Sequence, residues 1–147
     1  MLYMLDTDTV IAMVRGLKAG PRQRGRREKA LAMVERCRRA QAEGDVVSLS
    51  AITVSELEFG ERNSANYDDE IAAVAKVLLP FDILDYDGAN CPVHYGRVRD
   101  ELERAGETIG AMDLLIAAHA LGESATIVTN NVGHFRRVSG LAVTSWP

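Results

Sequence analysis

Three acids in this chain fall where strand ends and helix starts would bring them together. Asp6 follows the apolar run Met1–Leu5, and Glu56 sits in a helical stretch just after Asp45–Leu49. Asp113 is the single charged group in the apolar stretch Gly110–Leu121, and Asn131 stands just past the apolar run Ala125–Val128. Carboxylates held close together repel one another and are costly to desolvate, and a bound cation relieves both problems. Mg²⁺ and Mn²⁺ suit such a set, because they prefer carboxylate and water oxygens and keep several waters. An ion of that kind lowers the pKa of bound water and neutralises charge on a phosphodiester. No His or Cys cluster competes. His94, His119 and His134 are scattered, and His119, within an apolar helix, reads as a satisfied core histidine.

The elements that must position these groups follow from periodicity. Met1–Leu5 reads as a short buried strand, and in an open α/β sheet ligands bind beyond the carboxyl ends of the strands, where Asp6 would lie. Thr9–Arg15 predicts a short helix capped by Asp8, with Asp6 left no cap to make. Gly16–Gly25 reads as a basic loop, and Arg26–Ala42 as a helix with Ala30, Leu31, Val34 and Cys37 inward. A second strand over Asp45–Leu49 leads to a helix capped by Ser50 or Thr53, running through Glu56 to Phe59. Ile71, Val74, Val77 and Leu78 stripe the next helix, which Pro80 stops, and Phe81–Leu84 alternates like a third strand. Asp87 is the expected cap of a helix carrying Cys91, Tyr95, Val98 and Leu102. Gly110–Leu121 predicts a central buried helix, Ala125–Val128 a fourth strand, and Leu141–Thr144 a last short one. Strands alternating with helices give a parallel sheet, and the length suits one domain spanning residues 1–147.

Each acid also has a simpler explanation. Thr53-Val-Ser-Glu56 has the spacing of a capping box, Asp113 suits the positive end of a helix, and Asn131 suits a turn. Their coincidence with Asp6 at one sheet edge favours a site.

Apolar residues make up 47% of the chain and charged residues 26%, the balance of a globular protein. No run is long enough for a membrane span, and the acids at positions 6 and 8 interrupt any leader-like segment, so a cytoplasmic protein is expected. Cys37 and Cys91 have no metal-motif spacing and fall on apolar helix faces, which predicts buried free thiols. Net charge is −4, yet Arg15–Arg39 holds ten Lys or Arg against two Glu, a local +8 that leaves −12 on the rest. Such asymmetry suits a polyanion-binding face on an acidic body. Arg22, Arg24, Arg26 and Arg27, with Lys18 and Lys29, are the candidate phosphate contacts, and a solvated face is the alternative. The segment has no aromatic residue on which bases could stack.

The motifs LDTDTVIA, SAITVSELEFG, IGAMDLLIAAHALG and IVTNNVGHFRRVSGLAVTSW resemble, in order, those of the PIN-domain ribonucleases. The resemblance is greatest to the VapC toxins of bacterial toxin–antitoxin pairs, and weakens only between Gly16 and Gln41. It implies a PIN-like three-layer α/β fold, with a central, mainly parallel sheet of four or five strands flanked by helices. It implies catalytic residues Asp6, Glu56, Asp113 and Asn131, the three acids binding Mg²⁺, for which Mn²⁺ substitutes. The fourth position is acidic in many relatives. An amide oxygen at Asn131 is a poorer ligand, which leaves one ion or two open and turns Asn131 toward a metal-bound water or the substrate. Thr7 matches the family's hydroxyl beside the first acid, whereas Asp8 stands where relatives often have Asn. Thr7, Asp8, Thr129 and Asn130 join the four arginines as candidate substrate contacts. The resemblance further implies cleavage of tRNA or a rRNA loop, inhibition of translation, a VapB-type antitoxin, for which the basic helix and loop could form the groove, and a homodimer. Two rivals remain. Met4–Val10 also fits the opening motif of haloacid-dehalogenase phosphatases, with Asp6 as nucleophile, and the chain could be an idle PIN domain that only binds RNA or a partner.

Overall fold

The strand that opens the chain lies at the centre of the sheet. In the computed structural model, which describes residues 1–146, β1 (Leu2–Leu5) pairs with β2 (Val46–Ser50) on one side and β4 (Thr126–Val128) on the other. β3 (Asp82–Leu84) and β5 (Ala142–Thr144) form the edges. All four pairings are parallel, in the order β3-β2-β1-β4-β5, so the mainly parallel sheet expected from the sequence is wholly parallel. Parallel strands need crossovers, and the helices that supply them cover both sheet faces.

Successive strand residues point to opposite faces, and the core divides accordingly. Leu5, Val47, Leu49 and Val128 pack with α1 (Thr7–Leu17), α2 (Arg24–Ala42), and Val74 of α4 (Tyr67–Leu78). Met4 and Ile127 pack on the other side with α5 (Cys91–Ala105), α6 (Ala111–Glu123), and Phe135 of α7 (Val132–Phe135). α3 (Ala51–Arg62) follows β2 directly and sends Leu57 into the first of these cores. α1 and α2 lie so close that a Cβ on Gly16 would stand 2.5 Å from both the Ala30 Cβ and the Arg26 carbonyl oxygen. Only glycine fits there. Cys37 and Cys91 are buried free thiols. Among the described residues no helix is long and apolar enough to cross a membrane.

Several boundaries differ from the sequence reading. α1 starts two residues earlier and runs two further, to Leu17, because its cap is Asp6. The basic loop shrinks to a few residues around a 3-10 turn at Pro21–Gln23, and Gly25 lies inside α2. Flanking helical residues outweigh the roughly 1 kcal/mol that an interior glycine costs. For the same reason α3 passes through Gly60 to Arg62. Asn90, not Asp87, occupies the N-cap position of α5. Asp87 stays in the preceding turn, where its side chain accepts from the Ala89 N–H at 2.8 Å.

Candidate active site

The site is built at the carboxyl edge of the sheet, from the tips of β1 and β4 and the helices beside them. Asp6 ends β1 and is 2% exposed. Its Oδ1 accepts from the Thr9 N–H at 3.0 Å and so caps α1. Its Oδ2 accepts from the Thr129 hydroxyl at 2.6 Å. The cap expected at Asp8 is made by Asp6 instead, and Asp8 is an exposed acid in the first helical turn, where the dipole favours it. Burial pushes the Asp6 carboxyl above its ordinary range, the bonds from Thr129 and Thr9 pull it back, and the charge of Asp8 adds to the rise.

Glu56 is half-buried on α3. Ser50 caps that helix, accepting from the Ile52 N–H at 3.0 Å, so Thr53 and Glu56 form no capping box. Glu56 instead reaches across to β1's exit, where its Oε1 accepts from the Thr7 hydroxyl at 2.7 Å. Thr7 Oγ1 also lies 3.0 Å from Thr53 Oγ1. Burial raises the Glu56 carboxyl most, the Thr7 bond opposes this, and the charges of Asp113, Asp8 and Asp6 add to the rise. Glu56 thus lies within reach of the charges of the three other acids around one cleft.

Asp113 sits in the first turn of α6, whose N-cap Gly110 supplies no side chain. Its Oδ2 lies 3.0 Å from Nε2 of His134 on α7, a tertiary pairing that no spacing in the chain announces. Asn131 is exposed at the N-cap position of α7, but its side chain makes no capping bond. Its backbone N–H donates to Thr129 Oγ1 at 2.9 Å. Thr129 and Thr7 are buried, with hydroxyls committed to Asp6 and Glu56, whereas Asp8 and Asn130 are exposed.

Asp8 and Asn130 also line a groove of about 820 Å³ between α1 and α2, with Arg15, Arg26 and Lys29 on its walls and Ile11, Met33 and Trp146 as apolar lining. Of the four candidate arginines only Arg26 lines it. Arg22, Arg24 and Arg27 are exposed nearby, Arg27 donating to the Leu17 carbonyl at 2.9 Å. His119 is fully buried as expected but only half satisfied. Its Nδ1 meets Ser50 Oγ at 2.7 Å, while Nε2 has no hydrogen-bond partner among the described residues and lies 3.9 Å from Glu123. Burial lowers its pKa, against the opposing charge of Glu123.

The donor set suits a hard cation in kind. Glu56 Oε2 and Asp113 Oδ1 make no hydrogen bond among the described residues, and Mg²⁺ commonly takes one or two carboxylates and completes its shell with water. The acids border the cleft without closing on it: among the described residues, no three His, Cys, Asp or Glu form a ready cage.

The chain matches the PIN domain family over residues 3–141, and it belongs to that family. Within the family it is similar to VapC proteins. It is 37% identical over 105 residues to "Ribonuclease VapC2" of Rickettsia felis, an overlap of 71% of this chain and 78% of that one. It is 32% identical to the "tRNA(fMet)-specific endonuclease VapC" of Shigella flexneri, across 98% of this chain and 97% of the other. The fold superposes on a chain of the DNA-bound VapBC complex of Salmonella typhimurium with a TM-score of 0.83, at 30% identity over the whole of both chains. The likeness to haloacid-dehalogenase phosphatases stays confined to the opening motif.

Proposed function

We propose that this protein is a divalent-metal-dependent endoribonuclease that cuts structured RNA, tRNA first among candidates, and that a VapB-type antitoxin restrains it. The observation that carries the reading is the convergence of Asp6, Glu56 and Asp113, from three separate elements, on the carboxyl edge of the sheet. Asp6, Asp113 and Glu56 would hold Mg²⁺, with Mn²⁺ as a substitute. When bound, the ion supplies charge neutralisation at the phosphodiester and a more acidic water. The rest falls to the chain's own groups. Thr129 and the Thr9 N–H hold both oxygens of Asp6, and Thr7 aims Glu56, so neither acid has to be ordered when substrate arrives. Asn130, Asn131 and Asp8 stand exposed at the rim, where they meet the RNA. Arg26, Lys29 and their exposed neighbours attract its phosphates. Cleavage is hydrolysis. The oxygen of water bonds to phosphorus, the bond to the ribose 3′ oxygen breaks, and the products end in 5′-phosphate and 3′-hydroxyl.

The groove between α1 and α2 supports the second half of the proposal. It is partly apolar and beside the cleft, and the structural relative from Salmonella typhimurium was solved as a DNA-bound VapBC complex. A peptide in the groove would cover Asp8 and Asn130 and exclude substrate.

End-labelled tRNA incubated with Mg²⁺ and with EDTA tests the reading. The expected result is metal-dependent cleavage with 5′-phosphate ends, absent in Asp113→Asn. A 2′,3′-cyclic phosphate product, or full activity of Asp113→Asn in EDTA, would overturn it. Tight RNA binding without any cleavage would favour the idle-domain alternative.

A further inference from the structure

We infer that His134 is a positioning residue for Asp113, and that the segment Thr129–His134 clamps two acids of the cleft at once. The inference rests on the metal-binding reading above. His134 Nε2 lies 3.0 Å from Asp113 Oδ2. A carboxylate at neutral pH only accepts, so Nε2 carries the proton and donates. No other side-chain partner of Asp113 occurs among the described residues, and its helix has no side-chain cap to share the task. A first-turn aspartate without a partner would sample several rotamers, whereas this one is fixed through Oδ2.

His134 is itself fixed. Its ring stands edge-on to Phe135, with centroids 5.6 Å apart and planes at 90°, and Phe135 is 1% exposed in the core. The His134 N–H donates to the Asn131 carbonyl at 3.2 Å, and the Asn131 N–H donates to Thr129 Oγ1 at 2.9 Å. The same Thr129 hydroxyl donates to Asp6 Oδ2. A chain of bonds therefore runs from Asp6 through Thr129, Asn131 and His134 to Asp113. It sets two carboxylates, 107 positions apart in sequence, in a fixed relation across the cleft. Hydrogen bonds to ligating carboxylates orient them and tune their affinity.

The test is calorimetric titration with Mn²⁺ of the full chain, His134→Ala, His134→Gln and Asp113→Asn, with a metal-free melting curve for each. The amide of Gln can place a donor where the imidazole Nε2 stands. The expected result is about 10- to 100-fold weaker Mn²⁺ binding in His134→Ala, with most of the affinity restored in His134→Gln and similar metal-free melting. Equal or tighter Mn²⁺ binding in His134→Ala would overturn the inference. So would equal losses in the Ala and Gln variants that track a lower metal-free melting temperature, since that marks a merely structural role. Asp113→Asn separates the two levels. If it binds Mn²⁺ like the parent, the metal-site reading fails. If it loses Mn²⁺ while His134→Ala does not, only the role of His134 fails.

Discussion

The acid cleft and the basic groove adjoin, yet they are built in opposite ways. In the cleft Asp6, Glu56 and Asp113 are each tied by at least one hydrogen bond to a residue of another segment, and Asp6, Thr7 and Thr129 are buried. Along Arg22–Lys29 every side chain is exposed, and Arg27 alone reaches a backbone carbonyl. Chemistry needs groups held within fractions of an ångström, whereas attraction of a polyanion needs only charge density. The two parts should therefore respond differently to substitution, the cleft through rate and metal affinity, the groove through binding and salt.

The sharpest break is expected from Asp6→Asn and Asp113→Asn. Asn caps a helix as well as Asp, which suits Asp6, and Asp113 caps no helix, so both should fold, while RNA cleavage should fall by about 100-fold or more, given that outer-shell changes alone cost 10- to 100-fold. Millimolar Mn²⁺ should raise the melting temperature of the parent over its value in EDTA and not that of the double variant. An equal rise in both would place the ion elsewhere.

Gly16→Ala should unsettle the groove while leaving the acids in place. Alanine in a helix gains roughly 1 kcal/mol over glycine, but contact with the Arg26 carbonyl and Ala30 forces the helices apart at about 1–3 kcal/mol. The overlap should win and lower the melting temperature by a few degrees. Unchanged or higher melting by circular dichroism would show that α1 and α2 already sit further apart in solution.

Replacing Arg22, Arg24, Arg26 and Arg27 by Gln should weaken RNA binding and flatten its dependence on salt. The slope should fall by up to about 0.7 per arginine for a single strand. Cleavage at saturating RNA should change less. An unaltered slope would make the segment a solvated face or an antitoxin contact only.

The smallest effect should lie outside both regions. Glu61, on α3, is buried beside Glu58, and burial, then its bond to Glu58 and that neighbour's charge, push its carboxyl up to about 7. An acid whose folded pKa is raised binds more protons folded than unfolded, so its contribution falls as pH rises from about 4.5 to about 7. Glu61→Gln should melt slightly higher than the parent at pH 8, with the difference gone near pH 4. A constant difference across that range would refute the titration.

The sheet, and with it the place of Asp6, was legible because short apolar runs ending in polar residues mark strand tips, as Leu5-Asp6 and Val128-Thr129 do. The partners of the acids were not. Thr7 with Glu56, Thr129 with Asp6 and His134 with Asp113 are tertiary contacts, and no periodicity encodes them. The move of the cap from Asp8 to Asp6 turns on where α1 begins, and a cap two residues early fits the same letters. α7 escaped notice because four residues are too few to show a helical period.

The central place of β1 also governs when the site can exist during synthesis. Tyr3 pairs with Val47 on one side and with Thr126 on the other. The second pairing, and the Thr129 hydroxyl that holds Asp6, are available only after most of the chain has left the ribosome. Contacts of such long sequence separation form late and slowly. A nascent chain halted anywhere before Thr129 carries Asp6 without its clamp, so the ribosome making this protein is not exposed to an assembled cleft until the last strands emerge.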